Sequence, residues 1–220
     1  MTAPRARARL VVFDLDGTLI DSSRDLAAAV NRALRRAAPG APALPEDVVR
    51  TFIGSGARVL ITRSVAEAGL AQSVDEVLAL FLEEYRRGLL DATRLYPGTE
   101  DALSRLRDRR LAVLTNKPGD MSRVILEGLG VKGRFFRIYG AGDVEARKPD
   151  PAGLRRIAEE AGVDVEEAVM VGDSGIDVRT GRAAGALTAG VTYGFDADSF
   201  RDDPPDILVR SLTELADRLS

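Results

Sequence analysis

The sequence predicts an α/β fold, a parallel sheet flanked by helices, with an all-helical insert after the first strand. Three observations predict it. Short continuous apolar runs recur along the chain, each followed by polar or glycine residues and then by a helical pattern. The stretches between these runs are long enough for the crossover helices that parallel strands require. One long segment, from about Ser22 to Tyr96, has helical periodicity and no convincing strand-like run.

Taken in order, Leu10 to Phe13 is the first strand, a β-rich run that ends in Asp14 and Asp16 before Gly17 and Thr18 turn the chain away. Asp21-Ser22-Ser23 suits a helix N-terminus, and Asp25 to Ala38 follows with a helical pattern. Pro39 to Pro45 is a proline and glycine loop, after which Glu46 to Phe52, Ala57 to Ala68 and Val74 to Leu90 are helical stretches. Beyond the insert come a helix over Thr99 to Arg110 and a strand over Leu111 to Leu114 running into Thr115-Asn116-Lys117-Pro118. Helices over Met121 to Leu129 and Pro151 to Ala161 follow. Ala168 to Val171 is a strand leading to Gly172-Asp173-Ser174, Asp177 to Ala184 is a helix, and Ala186 to Val191 is a strand leading to Thr192-Tyr193-Gly194. Continuous apolar strands of this kind are buried on both faces. The expected division is a core of residues 1–20 and 97–220 with an insert of 21–96. The insert reads as a lid, hinged near Leu19 to Asp21 and Tyr96 to Gly98, of the sort that excludes water from a site.

Composition narrows the function. A chain of 220 residues accommodates one core with a smaller insert. Apolar content of 45% and charged content of 30% are those of an ordinary globular protein. A net charge of −3 gives no electrostatic case for nucleic acid or an anionic membrane, and no window approaches the ~20 apolar residues of a membrane span. Met1 to Arg9 is basic but lacks the apolar stretch of a secretory signal; it reads as a frayed end, with the cytoplasm as the expected compartment. Cysteine and histidine are both absent. That excludes thiol chemistry, imidazole triads and histidine-ligated zinc, leaving acid–base work to carboxylates, lysine or tyrosine. Lys117, Lys132 and Lys148 stand against 28 arginines, so each lysine merits attention in a chain that otherwise uses guanidinium.

Asp14 and Asp16 would share one face of an extended segment, since side chains alternate with period two. Two carboxylates so close repel unless a cation or shared proton compensates. Mg²⁺ suits such oxygen ligands and typically sits beside a phosphate, so the pair suggests a metal-assisted phosphoryl site. In open parallel sheets ligands bind beyond the carboxyl ends of the strands. Asp14, Asp16, Thr115, Asn116 and Asp173 all follow apolar runs directly and should converge on that edge. Singly, Thr115-Asn116 could be a turn, Lys148-Pro149 a helix start, and Gly172-Asp173-Ser174 with Asp177 a capped helix. Their order and shared edge favour a site.

D-L-D-G-T at 14–18, T-N at 115–116, K-P at 148–149 and G-D-S-G-I-D at 172–177 resemble the four motifs of the haloacid dehalogenase superfamily of phosphohydrolases. The insert after the first motif resembles that family's cap, and the short span between Lys117 and Lys148 leaves no room for a cap after the second. L-Y-P-G at 95–98, T-N-K-P at 115–118, T-Y-G-F at 192–195 and F-I-G-S-G-A-R-V-L at 52–60 resemble its phosphoglycolate phosphatase-like branch. The resemblance implies a Rossmann-like core with Asp14 as nucleophile and Asp16 as general acid and base. It implies Mg²⁺ held by Asp14, Asp173 and the backbone carbonyl of Asp16, and a phosphate gripped by Lys148, Thr115 and Asn116. Asp177 would support this set from behind. Ser55, Gly56 and Arg58, with Arg63, Arg86 and Arg87 as further arginines, are the insert's candidates for choosing the substrate. The expected substrate is a small phosphate monoester, 2-phosphoglycolate foremost. Sugar-phosphate phosphatase, pyrophosphatase and β-phosphoglucomutase-like activities are the alternatives, and a phospho-accepting signalling domain is a remoter one. Dehalogenases of the superfamily lack the second carboxylate of the first motif, so Asp16 argues for phosphate. No macromolecular partner is expected, and the chain is expected to act as a monomer or homodimer.

Overall fold

The computed structural model describes residues 8–220. Of the basic start that reads as frayed, residues 1–7 lie outside the described residues. Arg9 is not frayed: its N–H donates to Glu167 O and its carbonyl accepts from Arg110 N, both at 2.9 Å.

The core is a six-stranded, wholly parallel sheet. Its strands are β1 (Leu10–Phe13), β4 (Arg110–Pro118), β5 (Arg137–Ala141), β6 (Ala168–Gly172), β7 (Leu187–Val191) and β8 (Ile207–Val209), in spatial order β5-β4-β1-β6-β7-β8. β1 lies at the centre, where all four of its residues are buried. Alternation divides it between two layers. Val11 and Phe13 pack with Val113, Val171 and Val191, while Leu10 and Val12 pack with Ala112, Leu154 and Met170. The first layer is covered by α5 (Thr99–Arg105), α6 (Gly119–Gly128) and α9 (Leu212–Leu219), the second by α7 (Ala152–Ala161) and α8 (Gly175–Ala184). A sheet covered on both faces is what continuous apolar runs demand.

Between β2 (Ile20–Asp21) and β3 (Arg94–Leu95) stand four helices: α1 (Ser23–Ala37), α2 (Glu46–Arg50), α3 (Ala57–Glu67) and α4 (Val74–Arg87). In α1 the residues Leu26, Ala29, Val30, Ala33 and Leu34 are buried, the one-sided spacing of an amphipathic helix. In α4 the inward residues are Val77, Phe81 and Tyr85. Glu84 is also buried, and accepts from Arg32 Nε at 3.0 Å and Arg36 Nη1 at 2.6 Å, joining α1 to α4. β2 and β3 form an antiparallel ribbon, Ile20 opposite Leu95 and Asp21 opposite Arg94, where only hinges are legible in the sequence. Both passages of the chain between insert and sheet run through it. The helix expected over Thr99 to Arg110 is shorter, since residues 106–109 turn and Arg110 already belongs to β4.

Asp25 secures the return passage. Its buried carboxylate accepts from Ala92 N at 2.9 Å, Thr93 N at 2.8 Å and Thr93 Oγ1 at 2.7 Å. Removing it leaves donors without partners in a dry setting, so Asp25→Ala is expected to cost about 2–4 kcal/mol in urea unfolding. A loss under roughly 0.5 kcal/mol would mean that water replaces those bonds freely. No helix of the described residues is long and apolar enough to cross a membrane.

Candidate active site

The carboxyl ends of β1, β4 and β6 are adjacent in the sheet, and their polar residues meet there. Asp14 follows β1 directly and continues its ladder, its N–H donating to Val171 O at 2.8 Å. β4 runs four residues beyond the expected strand end, and its register against β5 shifts between Leu114 and Pro118. Irregularities of this kind re-aim side chains, and the shifted stretch holds Thr115, Asn116 and Lys117. Asp173 follows β6, and Ser174 caps α8, its N–H and hydroxyl donating to Asp177 Oδ2 at 3.2 and 2.8 Å.

Carboxylate oxygens of Asp14, Asp173 and Asp177 lie within 4.8 Å of one another, all three side chains buried. Lys148 answers them: its Nζ is 2.6 Å from Asp177 Oδ1 and 2.9 Å from Asp14 Oδ1. Lys148 is thus the cation set against the buried Asp14 Oδ1. Asp173 Oδ2 accepts from Phe195 N at 2.6 Å. Two glycines make room for this residue. Gly17 has φ +80°, and a Cβ there would come 2.1 Å from Asp173 Oδ2; a Cβ on Gly194 would come 2.2 Å from Asp173 Cβ.

Three buried carboxylates against one ammonium leave an uncompensated negative charge. Burial, with Lys148 opposing it and Asp177 adding to it, pushes Asp14 up to about 6. Burial and then the charges of Asp177 and Asp14 push Asp173 well above the usual carboxylate range. Burial works against the charge on Lys148, but Asp14 and Asp177 outweigh it and its pKa is raised. An anionic, oxygen-only cluster of three carboxylates around one ammonium fits a hard divalent cation. Asp177 already has Lys148 on one oxygen and Ser174 on the other, which leaves Asp14 and Asp173 the freer ligands.

The cluster makes stability without metal depend on pH. A carboxyl whose pKa rises from 3.8 to about 6 on folding holds more protons in the native than in the unfolded state across that window. Its contribution therefore falls as pH rises through it and is constant above. In chelator-treated protein, Asp14→Asn is expected to match the parent near pH 3.5 and to be more stable by roughly 3 kcal/mol at pH 7. A difference that stays flat over denaturant titrations at pH 3.5–7 would contradict this.

Asp16 lies outside the cluster's side chains. Its Oδ1 accepts from Ser22 Oγ at 2.5 Å and from Lys117 Nζ at 2.9 Å, and its Oδ2 is 3.0 Å from the same ammonium. Lys117 is the functional residue that the sequence reading leaves out of the site. Its signal was the scarcity of lysine, without a role attached. Thr115 lines the same cavity, accepts from Lys117 N at 3.3 Å, and donates its own hydroxyl to nothing among the described residues.

Asn116 is placed differently from the expectation that it faces a phosphate. Its Oδ1 accepts from Lys148 N at 2.9 Å and its Nδ2 donates to Lys148 O at 3.0 Å and Gly54 O at 3.2 Å. Its amide is thus occupied in fixing the Lys148 backbone and bridging to the insert. Of the insert candidates, Gly56 lines the cavity with Gly54, whereas Ser55 does not. Arg58 is not brought there: its guanidinium pairs with Asp75 at the surface. Arg63 donates to Thr51 O at 3.3 Å, Arg86 pairs with Asp120 at 2.8 Å, and Arg87 pairs with Glu84 at 3.0 Å.

The insert closes over this edge through several bonds. Besides Asn116 to Gly54, Arg50 Nη2 donates to Gly194 O at 2.9 Å and its guanidinium lies 5.0 Å from the ring of Phe195, whose N–H holds Asp173. Between insert and sheet lies a partly open cavity of about 40 Å³, with Asp14, Asp16, Thr115 and Lys117 on the sheet side and Leu60, Phe81 and Tyr85 on the other.

The chain as a whole has close counterparts. A family model described as haloacid dehalogenase-like hydrolase matches residues 8–185. The chain belongs to that family. It is 39% identical to a phosphoglycolate phosphatase of Pseudomonas putida, over 96% of this chain and 80% of the relative. It is 38% identical to a phosphoglycolate phosphatase of Mesorhizobium japonicum, over 96% of both. Among solved structures it is similar to one described as a predicted phosphoglycolate phosphatase from Haemophilus somnus, with a TM-score of 0.91, 29% identity, and 97% of this chain and 99% of the other covered. Family and relatives together make the chain a hydrolase of phosphoric monoesters, and its buried carboxylate cluster could hold a divalent cation.

Proposed function

We propose that this haloacid dehalogenase-like hydrolase is a Mg²⁺-dependent phosphatase acting on 2-phosphoglycolate through a phosphoryl-aspartate at Asp14. The observation that carries the reading is the buried cluster of Asp14, Asp173 and Asp177 around Lys148, with Asp14 and Asp16 lining one small cavity. A nucleophilic carboxylate needs a free oxygen held at the site of reaction.

In this reading an Asp14 oxygen attacks phosphorus, and the bond from phosphorus to the ester oxygen breaks. Asp16 gives its proton to the departing alkoxide. Water then attacks phosphorus, Asp16 takes the water's proton, the bond to Asp14 breaks, and phosphate leaves. One carboxyl thus serves as acid and then as base. Lys148, paired with Asp14, offsets charge on the phosphoryl oxygens, and the uncommitted Thr115 hydroxyl donates to one of them; charge placed in advance is the main source of rate in phosphoryl transfer. Asn116 works through Lys148, whose backbone it fixes on both sides. Asp14, Asp173 and the backbone carbonyl of Asp16 would hold Mg²⁺, which when bound offsets the negative charge of phosphate and carboxylates together. Asp177 steadies Lys148. Residues 21–96 act as the cap over a core of 1–20 and 97–220, with Gly54 and Gly56 brought against the β4 end.

Two supports bear on the substrate. The relatives in Pseudomonas and Mesorhizobium carry the phosphoglycolate name at 39% and 38% identity. The cavity, at about 40 Å³, accommodates a leaving group of a few atoms. The test is phosphate release from 2-phosphoglycolate, pyrophosphate, glucose 1- and 6-phosphates and p-nitrophenyl phosphate, each with Mg²⁺ and with EDTA. The expected result is a kcat/KM for 2-phosphoglycolate at least tenfold above every other substrate, lost in EDTA and restored by added Mg²⁺. Equal rates across the set would discard the substrate, and EDTA-resistant turnover would discard the metal.

A further inference from the structure

Two residues of the cavity have no part in the chemistry above. Lys117 is 6% exposed, and its ammonium lies 2.9 Å from Asp16 Oδ1 and 4.5 Å from the centre of the Tyr85 ring. Tyr85 is 1% exposed, and its hydroxyl donates to nothing among the described residues. A buried phenol that donates to nothing weakens the fold, and so does a buried lysine where an aliphatic residue would fill the space. Both residues line the cavity, with Asp16 at one side and Leu60, Phe81 and Met121 completing the wall.

An ester attacked by Asp14 must place its leaving oxygen beside Asp16. Whatever follows that oxygen then meets Lys117 and Tyr85. The ammonium has three donors, and its contacts with the two Asp16 oxygens leave capacity for another acceptor. The phenol has one donor with nothing to receive it. Together they offer two donors and a positive charge in an apolar surround, the complement of a carboxylate. The apolar wall offers nothing to sugar hydroxyls. On the measure by which one water needs roughly 10–15 Å³, a space of about 40 Å³ holds a methylene and a carboxylate and little more.

We propose that Lys117 Nζ and Tyr85 Oη bind the carboxylate of a short leaving group and so select α-phosphoryloxy acids over neutral esters of the same size. This rests on the phosphoglycolate reading and gives it a specificity site, one that involves none of the arginines of the insert.

The test compares 2-phosphoglycolate with 2-hydroxyethyl phosphate, in which a hydroxymethyl group replaces the carboxylate. The kcat/KM ratio of the two esters is measured for the parent, Lys117→Met and Tyr85→Phe. The parent should prefer the acid. Lys117→Met should reduce that preference by on the order of 100-fold, and Tyr85→Phe by roughly tenfold, carried by KM. A preference that survives both substitutions overturns the subsite and leaves phosphoglycolate as substrate. A parent without preference overturns the substrate reading and the subsite with it. Should Lys117→Met fail to fold because it leaves Asp16 unpaired, Tyr85→Phe decides alone. It removes only that hydroxyl, and an unchanged ratio there overturns the proposal.

Discussion

Asp14→Asn is expected to stop phosphate release, with a loss on the order of 10⁴-fold or more, while the folded state persists. The amide matches the carboxylate in size but is too weak a nucleophile to accept the phosphoryl group. The physical argument also predicts what happens to stability. In the parent, Asp14 is buried beside Asp173 and Asp177 with Lys148 as their shared cation. Removing one negative charge brings the cluster nearer to balance, so the inactive variant is expected to melt at or above the parent's temperature in EDTA. Loss of activity with gain of stability separates a reacting group from a structural one. A variant that keeps a few per cent of the parental rate would exclude attack by this carboxylate. One that is inactive because it unfolds would refute the charge argument.

Lys148→Met should have the opposite effect on stability. Its ammonium is the cation within contact distance of both Asp14 and Asp177. Deleting one side of a buried ion pair leaves uncompensated charge and typically costs about 3–5 kcal/mol. For a chain of this length that corresponds to a melting point lower by about 6–20 °C in EDTA. Added Mg²⁺ should return part of the loss, because a cation that binds the folded state stabilises it by mass action. Turnover should fall by roughly 10³-fold even in Mg²⁺, as expected when a preplaced positive charge is removed from the transferring group. Combining Asp14→Asn with Lys148→Met should recover stability relative to Lys148→Met alone, since the two residues are in contact and their effects do not add. Additive behaviour would show that the pair is not coupled.

The elements legible in the sequence were those whose signal is local. β1 and β6 are buried on both faces, so their burial is written as unbroken apolar runs, interrupted in β7 by Thr188, and the polar residues directly after β1 and β6 mark the functional edge. The edge strands were not legible. β5 carries an exposed Arg137 and a half-buried Ile138, and β8 has three residues with Leu208 48% exposed. Neither shows the continuous pattern, because only one flank of an edge strand is paired. The β2–β3 ribbon is two residues on each side, joined across the whole insert, and nothing local encodes it.

The site divides in the same way. Asp14, Asp16, Asp173 and Lys148 stand out by position relative to strands, and the glycines around Asp173 fit because that carboxylate leaves no room for a side chain. The setting of Asn116 was hidden, since its partners are a backbone 32 residues later and a loop 62 residues earlier. Arg58 misled for a related reason: the surface partner that holds it, Asp75, is 17 residues away on another helix. Lys117 was visible as a rare residue type, but its pairing with Asp16 depends on a register shift in β4 that only the fold reveals.

The central claim is that Asp14 carries the phosphoryl group during turnover. The most direct measurement is to quench the Mg²⁺-loaded enzyme in acid during turnover of 2-phosphoglycolate and reduce the denatured protein with borohydride. The peptide spanning Asp14 and Asp16 is then sequenced by mass spectrometry. Borohydride converts a phosphorylated aspartate to homoserine and leaves free carboxylates intact. The account predicts homoserine at position 14, with position 16 still aspartate, and neither change in samples without substrate. Homoserine at position 16, or an unmodified peptide from enzyme quenched at saturating substrate while homoserine is found in place of an aspartate elsewhere in the chain, would contradict it.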